Sequence, residues 1–350
     1  MLVTDKVLNS LGFVDKVSAP LIAKGVSVVV FDDVEPEPSV ATVRKATAHA
    51  IEEGVDGIIG LGGGSPLDVS KLVALFTESP QPIESTYGVD LAVGTRLPLV
   101  LLPTTAGTGS EVTRVAVVTG DEDDKNPILA PQLICDSVYL DAELTLGLPA
   151  KVTAATGVDA MVHAIESYTS SIRKNVASDQ MALQAMHLLY GNIHKATSEG
   201  TNLAAREGML IGSMLAGLAF ANATVGGVHA LAYPIGTQFH VSHGASNALV
   251  MVPVMRFNMP DAAGLYAEIA RSLIPELESE SDEHAANRLI DSLEELIVEV
   301  GLENRLSDFG IRADDISELT QGALRQERIL SYNYKTLQPG DISEVFRSVL

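Results

Sequence analysis

Two histidines raise the chemical question. The segment VHALAYPIGTQFHVSHG, residues 228–244, carries His229 and His243 fourteen residues apart in an apolar, glycine-studded setting. Either one alone reads as a core or loop histidine with a satisfied hydrogen bond. A metal would need further ligands. AATGVDAMVHAIESY, residues 154–168, supplies Asp159 and His163, which a helix would place on one face a turn apart. The residues between them are small and apolar, so the carboxylate needs a partner. An Asp–His hydrogen bond would satisfy that pair by itself. Taken together, Asp159, His163, His229 and His243 offer one oxygen and three nitrogen donors, a set suited to Fe(II) or Zn(II). His240, three residues before His243, is the one serious rival, as an outer ligand or a stacking ring.

A second group of residues is built for phosphate. GLGGGSPLDVSK, residues 60–71, runs from an apolar strand pattern through Gly62, Gly63 and Gly64 to Ser65 and a helical pattern. Glycines let a bulky anion approach backbone amides. Ser65 suits the helix N-cap, Pro66 the first helical position, and Asp68 the position three after the cap. Such a turn aims free N–H groups and a positive dipole end above a sheet, where a pyrophosphate would sit. A tight structural turn is the plain alternative. A second loop, PTTAGTGSE at 103–111, strengthens the dinucleotide reading with the hydroxyls of Thr104, Thr105, Thr108 and Ser110. Asp5 closes the LVTD run; its carboxylate could accept from the ribose hydroxyls of NAD and repel the extra phosphate of NADP. A helix cap explains Asp5 equally well.

These residues need elements to hold them. LVT near the start, 26–32, 56–62 and 98–104 have strand character, and 7–24, 39–53 and 66–76 have helical spacing between them. That alternation predicts right-handed βαβ units and a Rossmann-like parallel sheet within an α/β domain over residues 1–148. Beyond 148 the strand signals stop. Residues 149–350 read as an all-helical domain, with separate helical patterns at 244–257 and 263–274, and Ser281 or a neighbour capping the helix after an acidic connection. The most apolar run, 209–223, reads as a core helix too short for a bilayer.

Composition narrows the classes. A formal net charge of −22 argues against nucleic acid and against an anionic membrane surface. Cys135 is the only cysteine, which fits a reducing cytoplasm and rules out a thiolate metal cluster. The opening residues have no signal-peptide pattern.

At this point the chain resembles the iron-containing (group III) alcohol dehydrogenases. GGGSPLDVSK, PTTAGTGSEVT, AATGVDAMVHAIESYTS, HALAYPIG and FHVSHGASNA match that family's stretches in order over almost the whole chain. The resemblance implies a nucleotide-binding α/β domain followed by an all-α metal-binding domain, a dehydroquinate synthase-like architecture. It implies metal ligands Asp159, His163, His229 and His243. It implies cofactor contacts from Asp5, Gly62, Gly63, Gly64, Ser65, Thr104, Thr105, Thr108 and Lys125, the last on the resemblance alone. The implied reaction is hydride transfer between an alcohol and NAD, or NADP, with Fe(II) or Zn(II) at the substrate oxygen and the nicotinamide facing it. Relatives are commonly dimers or larger.

Two departures stand out. Members of the family usually begin some thirty residues earlier, with a segment containing FGxG, so the sequence reads as a fragment, as one with a mis-called start, or as an inactive truncated homologue whose missing strand or helix would expose a sheet edge or weaken the nucleotide domain. Tyr233 stands where many alcohol-oxidising relatives have a proton-relaying histidine. A phenol, with an unperturbed pKa of about 10, is a poor base at neutral pH, so Tyr233 is read either as a proton donor or as a pocket wall. Other branches of the family tolerate tyrosine there, including ones resembling hydroxyacid–oxoacid transhydrogenases; a maleylacetate reductase-like activity is a further alternative within the family. A dehydroquinate synthase-like lyase would require Lys and Arg near the metal, and 159–168 and 226–250 contain none.

Overall fold

The computed structural model describes residues 1–120 and 125–350. The chain forms two compact units, Met1–Thr145 and Leu146–Leu350.

In the first unit the elements run β1 (Leu2–Val3), α1 (Lys6–Ser10), α2 (Phe13–Ile22), β2 (Val30–Phe31), α3 (Val40–Glu52), β3 (Ile58–Gly62) and α4 (Gly64–Glu78). They continue through β4 (Gly88–Val89), β5 (Leu99–Pro103), β6 (Val115–Thr119), β7 (Lys125–Leu129) and β8 (Ser137–Val138). The main sheet has the order β2-β1-β3-β5-β8, and every pair in it is parallel. This is the Rossmann-like sheet the alternation predicts. β3 and β5 are adjacent, in register from Ile58–Leu99 to Gly62–Pro103, so the loops after them emerge side by side. Ile58, Leu99, Leu101, Leu72 and Leu75 are buried between this sheet and α4.

Three local features differ from the sequence reading. The pattern over 7–24 is two helices, because Gly12 takes a left-handed φ of 81° between them. Helix α4 starts two residues earlier than Pro66: Gly63 is its cap position, which puts Ser65 and Pro66 inside the first turn. The glycine run permits this early start. Gly62 has φ 152°, and a Cβ on it would lie 2.5 Å from Pro66 Cγ. Asp68 therefore has no capping role. The third feature is an unforeseen second sheet, β4-β7-β6, parallel at β4/β7 and antiparallel at β6/β7. Its strand β6 alternates half-buried and buried positions, the period-two pattern of a strand with one covered face.

Among the described residues the second unit contains no strand. Its helices are α5 (Ala150–Tyr168), α6 (Val176–Ser198), α7 (Leu203–Ala223), α8 (Gly227–Phe239) and α9 (His243–Leu273). Helices α10 (Asp282–Glu299), α11 (Ile316–Leu324), α12 (Glu327–Leu330) and α13 (Pro339–Ser348) follow. Ser281 caps α10 by accepting from the His284 amide at 3.2 Å. The two patterns at 244–257 and 263–274 are one helix, α9, which runs through Pro253 and Pro260. Each proline removes one backbone donor, and the buried face from Ala245 to Ala270 holds the helix together across them.

The apolar run at 209–223 is also longer than its composition marks out. Helix α7 has 21 residues, long and apolar enough to cross a membrane by length and composition alone. Of the residues in an apolar 18-residue window of this helix, 56% are buried inside the protein. Its Arg206 is buried as well, donating to Gly200 O, Leu148 O and Thr153 Oγ1. This is the interaction pattern of a core helix.

Candidate active site

Helix α5 presents Asp159 and His163 on one face, and both are buried. His229 lies in the first turn of α8, and His243 is the first residue of α9. The start of α9 lies directly on α5: a Cβ on Gly244 would sit 2.3 Å from the Ala155 carbonyl oxygen. Only glycine permits that approach, and it brings His243 opposite Asp159. One ligand atom from each of Asp159, His163, His229 and His243 lies within 4.8 Å of the others. The rings of His163 and His229 stack with centroids 4.7 Å apart, and Phe220 covers the other side of His163 at 4.4 Å. Three of the four residues are buried, while His243 is exposed and forms the open side of the cluster.

Two residues that the sequence reading passed over organise these donors. Glu166 Oε2 is 2.7 Å from His229 Nδ1, and its Oε1 accepts from the Val228 amide at 2.6 Å. Held by two bonds, the carboxylate accepts a hydrogen bond from Nδ1–H, the tautomer that leaves the Nε2 lone pair facing the cluster. Asn247, fully buried, donates from Nδ2 to Asp159 Oδ1 at 2.6 Å. The same nitrogen is 3.3 Å from His243 Nε2 and 3.4 Å from His229 Nε2. Helical spacing could have found both, since Glu166 is three residues after His163 and Asn247 four after His243.

The donor set fits a divalent cation. Acceptor atoms packed this closely repel one another unless something positive lies among them, and here Asn247 Nδ2 takes that place for three of them. Burial alone would raise the Asp159 carboxyl. The pull of His163, His243 and His229, with the Asn247 hydrogen bond, takes it below the ordinary carboxylate range instead. Asn247 Oδ1 is buried with no hydrogen-bond partner among the described residues. His240 is not part of the cluster: it ends α8 in a left-handed conformation, φ 55°, and is exposed. Tyr233, one turn after His229 on α8, has its ring 5.9 Å from that of His243.

In the first unit the two small-residue loops touch. The Thr104 amide donates to Gly62 O at 2.9 Å. A Cβ on Gly63 would meet Thr105 Oγ1 at 3.2 Å, and one on Gly64 would meet Thr108 Cγ2 at 3.0 Å. No side chain caps the start of α4, and the uncapped first turn of a helix is a place where an anion can bind. The Ser65 hydroxyl accepts from the Glu37 amide at 3.3 Å. Glu37 also pairs with Lys125 at 2.9 Å, and Lys125 donates to Thr119 Oγ1 at 3.1 Å. Lys125 is thereby brought beside Ser65 through Glu37, a residue with no sequence signal. Asp5 is the N-cap of α1, accepting from the Leu8 amide at 2.9 Å through Oδ1.

Residues 1–142 match the family described as iron-containing alcohol dehydrogenase, and residues 153–350 match the C-terminal region of the Fe-containing alcohol dehydrogenase family. Long-chain-alcohol dehydrogenase 1 of Geobacillus thermodenitrificans is 39% identical, over 99% of this chain and 88% of its own. A crystal structure of 1,3-propanediol oxidoreductase superposes with a TM-score of 0.96 at 35% identity, covering 100% of this chain and 91% of that one. Sulfoacetaldehyde reductase from Bifidobacterium kashiwanohense, solved in complex with NAD+, superposes with a TM-score of 0.90 at 28% identity, covering 99% and 90%. Fold and likeness together define a metal-dependent oxidoreductase acting on CH–OH donors, with a dehydroquinate synthase-like architecture. The chain belongs to the iron-containing alcohol dehydrogenase family.

Proposed function

We propose that the protein interconverts an alcohol and its aldehyde with NAD(H), holding Fe(II) through Asp159, His163, His229 and His243. The observation that carries this reading is the approach of four donor atoms to within 4.8 Å of one another. When bound, the ion supplies Lewis acidity toward the alcohol or carbonyl oxygen, and NAD(H) supplies the hydride chemistry. The protein's own part is positioning. Asp159 contributes the negative charge, Glu166 fixes the tautomer of His229, and Asn247 holds the Asp159 carboxylate. Phe220 keeps water from one face of His163. Tyr233 gives a hydrogen bond or a proton at the substrate oxygen.

NAD(H) lies on the first unit in this reading. Its pyrophosphate meets the amides of Gly63, Gly64 and Ser65 and the hydroxyls of Thr104, Thr105 and Thr108, with Gly62 making the turn and Lys125 adding a positive charge. Asp5 turns its carboxylate toward a ribose, which favours NAD over NADP.

Metal analysis of the purified protein, followed by reduction of aldehydes and keto acids with NADH and NADPH, tests the proposal. Fe(II)-dependent reduction of aldehydes with NADH is the result it requires. A protein containing Zn(II) and inactive with iron overturns the choice of metal. Tyr233 in place of a relay histidine favours a second reading, action on hydroxyacids and keto acids; strict keto-acid use in the same panel would select it.

A further inference from the structure

Lys71 is fully buried, its side chain 0% exposed. An ammonium in that position costs several kcal/mol of lost hydration unless its protons are matched. Its Nζ lies 2.7 Å from Ser110 Oγ, 2.8 Å from Val115 O, 3.4 Å from Thr113 Oγ1 and 3.5 Å from Asp68 Oδ1. Ser110 Oγ in turn donates to Asp68 Oδ1 at 2.6 Å, and Asp68 Oδ2 accepts from the Val117 amide at 2.9 Å. Burial pushes the Asp68 carboxyl up and the Lys71 ammonium down, and the attraction between them opposes both shifts.

The partners follow a pattern. Asp68 and Lys71 stand on α4 within two turns of the glycine run. Apart from each other, the groups they bind belong to the segment that leaves the hydroxyl loop, from Ser110 to Val117. Ser110 is two residues beyond Thr108, and its amide donates to Thr108 Oγ1 at 3.2 Å. Val117 lies on β6, two residues before Thr119, which is paired in register with Lys125. One buried cluster therefore links the glycine turn, the hydroxyl loop and the strand pair carrying Lys125. Stability is a poor explanation for it, because well-packed apolar residues often replace a buried ion pair at no loss. Fixed geometry is what a charged, directional cluster adds.

We propose that Lys71, bridged to Asp68 through Ser110, is a positioning residue for NAD(H), holding the two phosphate-facing loops in register. This rests on the proposal that NAD(H) binds the first unit. Lys71 makes no contact with cofactor in it and acts through Ser110 and the loops.

The experiment measures NADH binding to the metal-loaded, full-length protein by fluorescence titration, with steady-state kinetics alongside, for Lys71→Met, Ser110→Ala and Thr105→Val. We expect Lys71→Met and Ser110→Ala each to raise the Kd for NADH and the KM for NAD by about tenfold, one decade of affinity. Metal content, the KM for the alcohol and kcat at saturating NAD should be unchanged. Ser110→Ala removes one hydroxyl and keeps every charge, so it decides the matter if Lys71→Met fails to fold. A purely structural cluster would instead lower the active fraction and kcat with the KM for NAD unmoved, and that result overturns the inference. Thr105→Val tests the underlying reading. If it weakens NADH binding while the folded Lys71 and Ser110 variants bind as the parent does, the inference fails and the cofactor site stands. If none of the three alters binding, the cofactor site itself is wrong and the inference falls with it.

Discussion

The carboxylate of Glu166 stands 2.7 Å from Nδ1 of His229, buried with it and held from the other side by the Val228 amide. As a ligand of the proposed metal His229 has one direction only: one ring nitrogen is committed to Glu166, and the other faces Asp159, 3.8 Å away, and His243. Removal of Glu166 frees the imidazole to change tautomer and to rotate. We expect Glu166→Ala to weaken Fe(II) binding about 10- to 100-fold, as measured by competition with a chelator, and to leave NADH affinity unchanged. Unaltered metal affinity in a folded variant would remove Glu166 from the site.

Gly244 lets α9 rest on α5. Its Ala variant would place a methyl group 2.3 Å from the Ala155 carbonyl oxygen, a backbone atom that cannot turn aside. The first turn of α9 must then move, carrying His243 with it. We expect Gly244→Ala to lose about 1–3 kcal/mol of stability in denaturant titration and to lose metal affinity too. Loss of stability with metal affinity intact would show that His243 is positioned by something other than this contact.

Asp5 has one oxygen engaged by the Leu8 amide. Asparagine caps helices about as well as aspartate, so Asp5→Asn should change stability by no more than a few tenths of a kcal/mol. It also removes the negative charge proposed to face the ribose. We expect the preference for NADH over NADPH to narrow by about tenfold, read from the ratio of kcat/KM values. A loss of stability with no change in preference would mark Asp5 as a cap alone.

Burial pushes the Glu111 carboxyl up to about 7, the nearby Lys71 ammonium offsetting part of the rise. An unfolded chain releases that proton near the ordinary value of 4.5. Between those two values the folded protein holds a proton that the unfolded chain has lost. Stability therefore falls as pH rises from about 4.5 to about 7, then levels off. The change is on the order of 3 kcal/mol. Glu111→Gln removes it, so equilibrium unfolding of parent and variant should agree near pH 4.5 and diverge toward pH 8, with the variant the more stable. Parallel curves would mean that Glu111 ionises normally.

Much of this was legible in the sequence because it depends on spacing. Asp159 and His163 share a helix face by periodicity, and the strands flanking the glycine run alternate with helices in the order a parallel sheet requires. What escaped depends on contacts between distant segments. Lys71 closes the quoted motif GGGSPLDVSK, yet a lysine is normally exposed, and its burial depends on Ser110, Thr113 and Val115 arriving from another segment. The β6/β7 pairing was hidden by Pro127, which ordinarily argues against a strand interior. The start of α4 shifted because a glycine run permits several starting points, and the Pro66 contact with Gly62 selects one of them.

The most direct measurement is anomalous diffraction at the iron edge from crystals grown with Fe(II) under reducing conditions. We expect a single strong peak about 2 Å from a carboxylate oxygen of Asp159 and from one ring nitrogen each of His163, His229 and His243. A peak elsewhere, or iron that persists at the same position after Asp159 and His163 are both replaced by alanine, would contradict a metal centre formed by these four side chains.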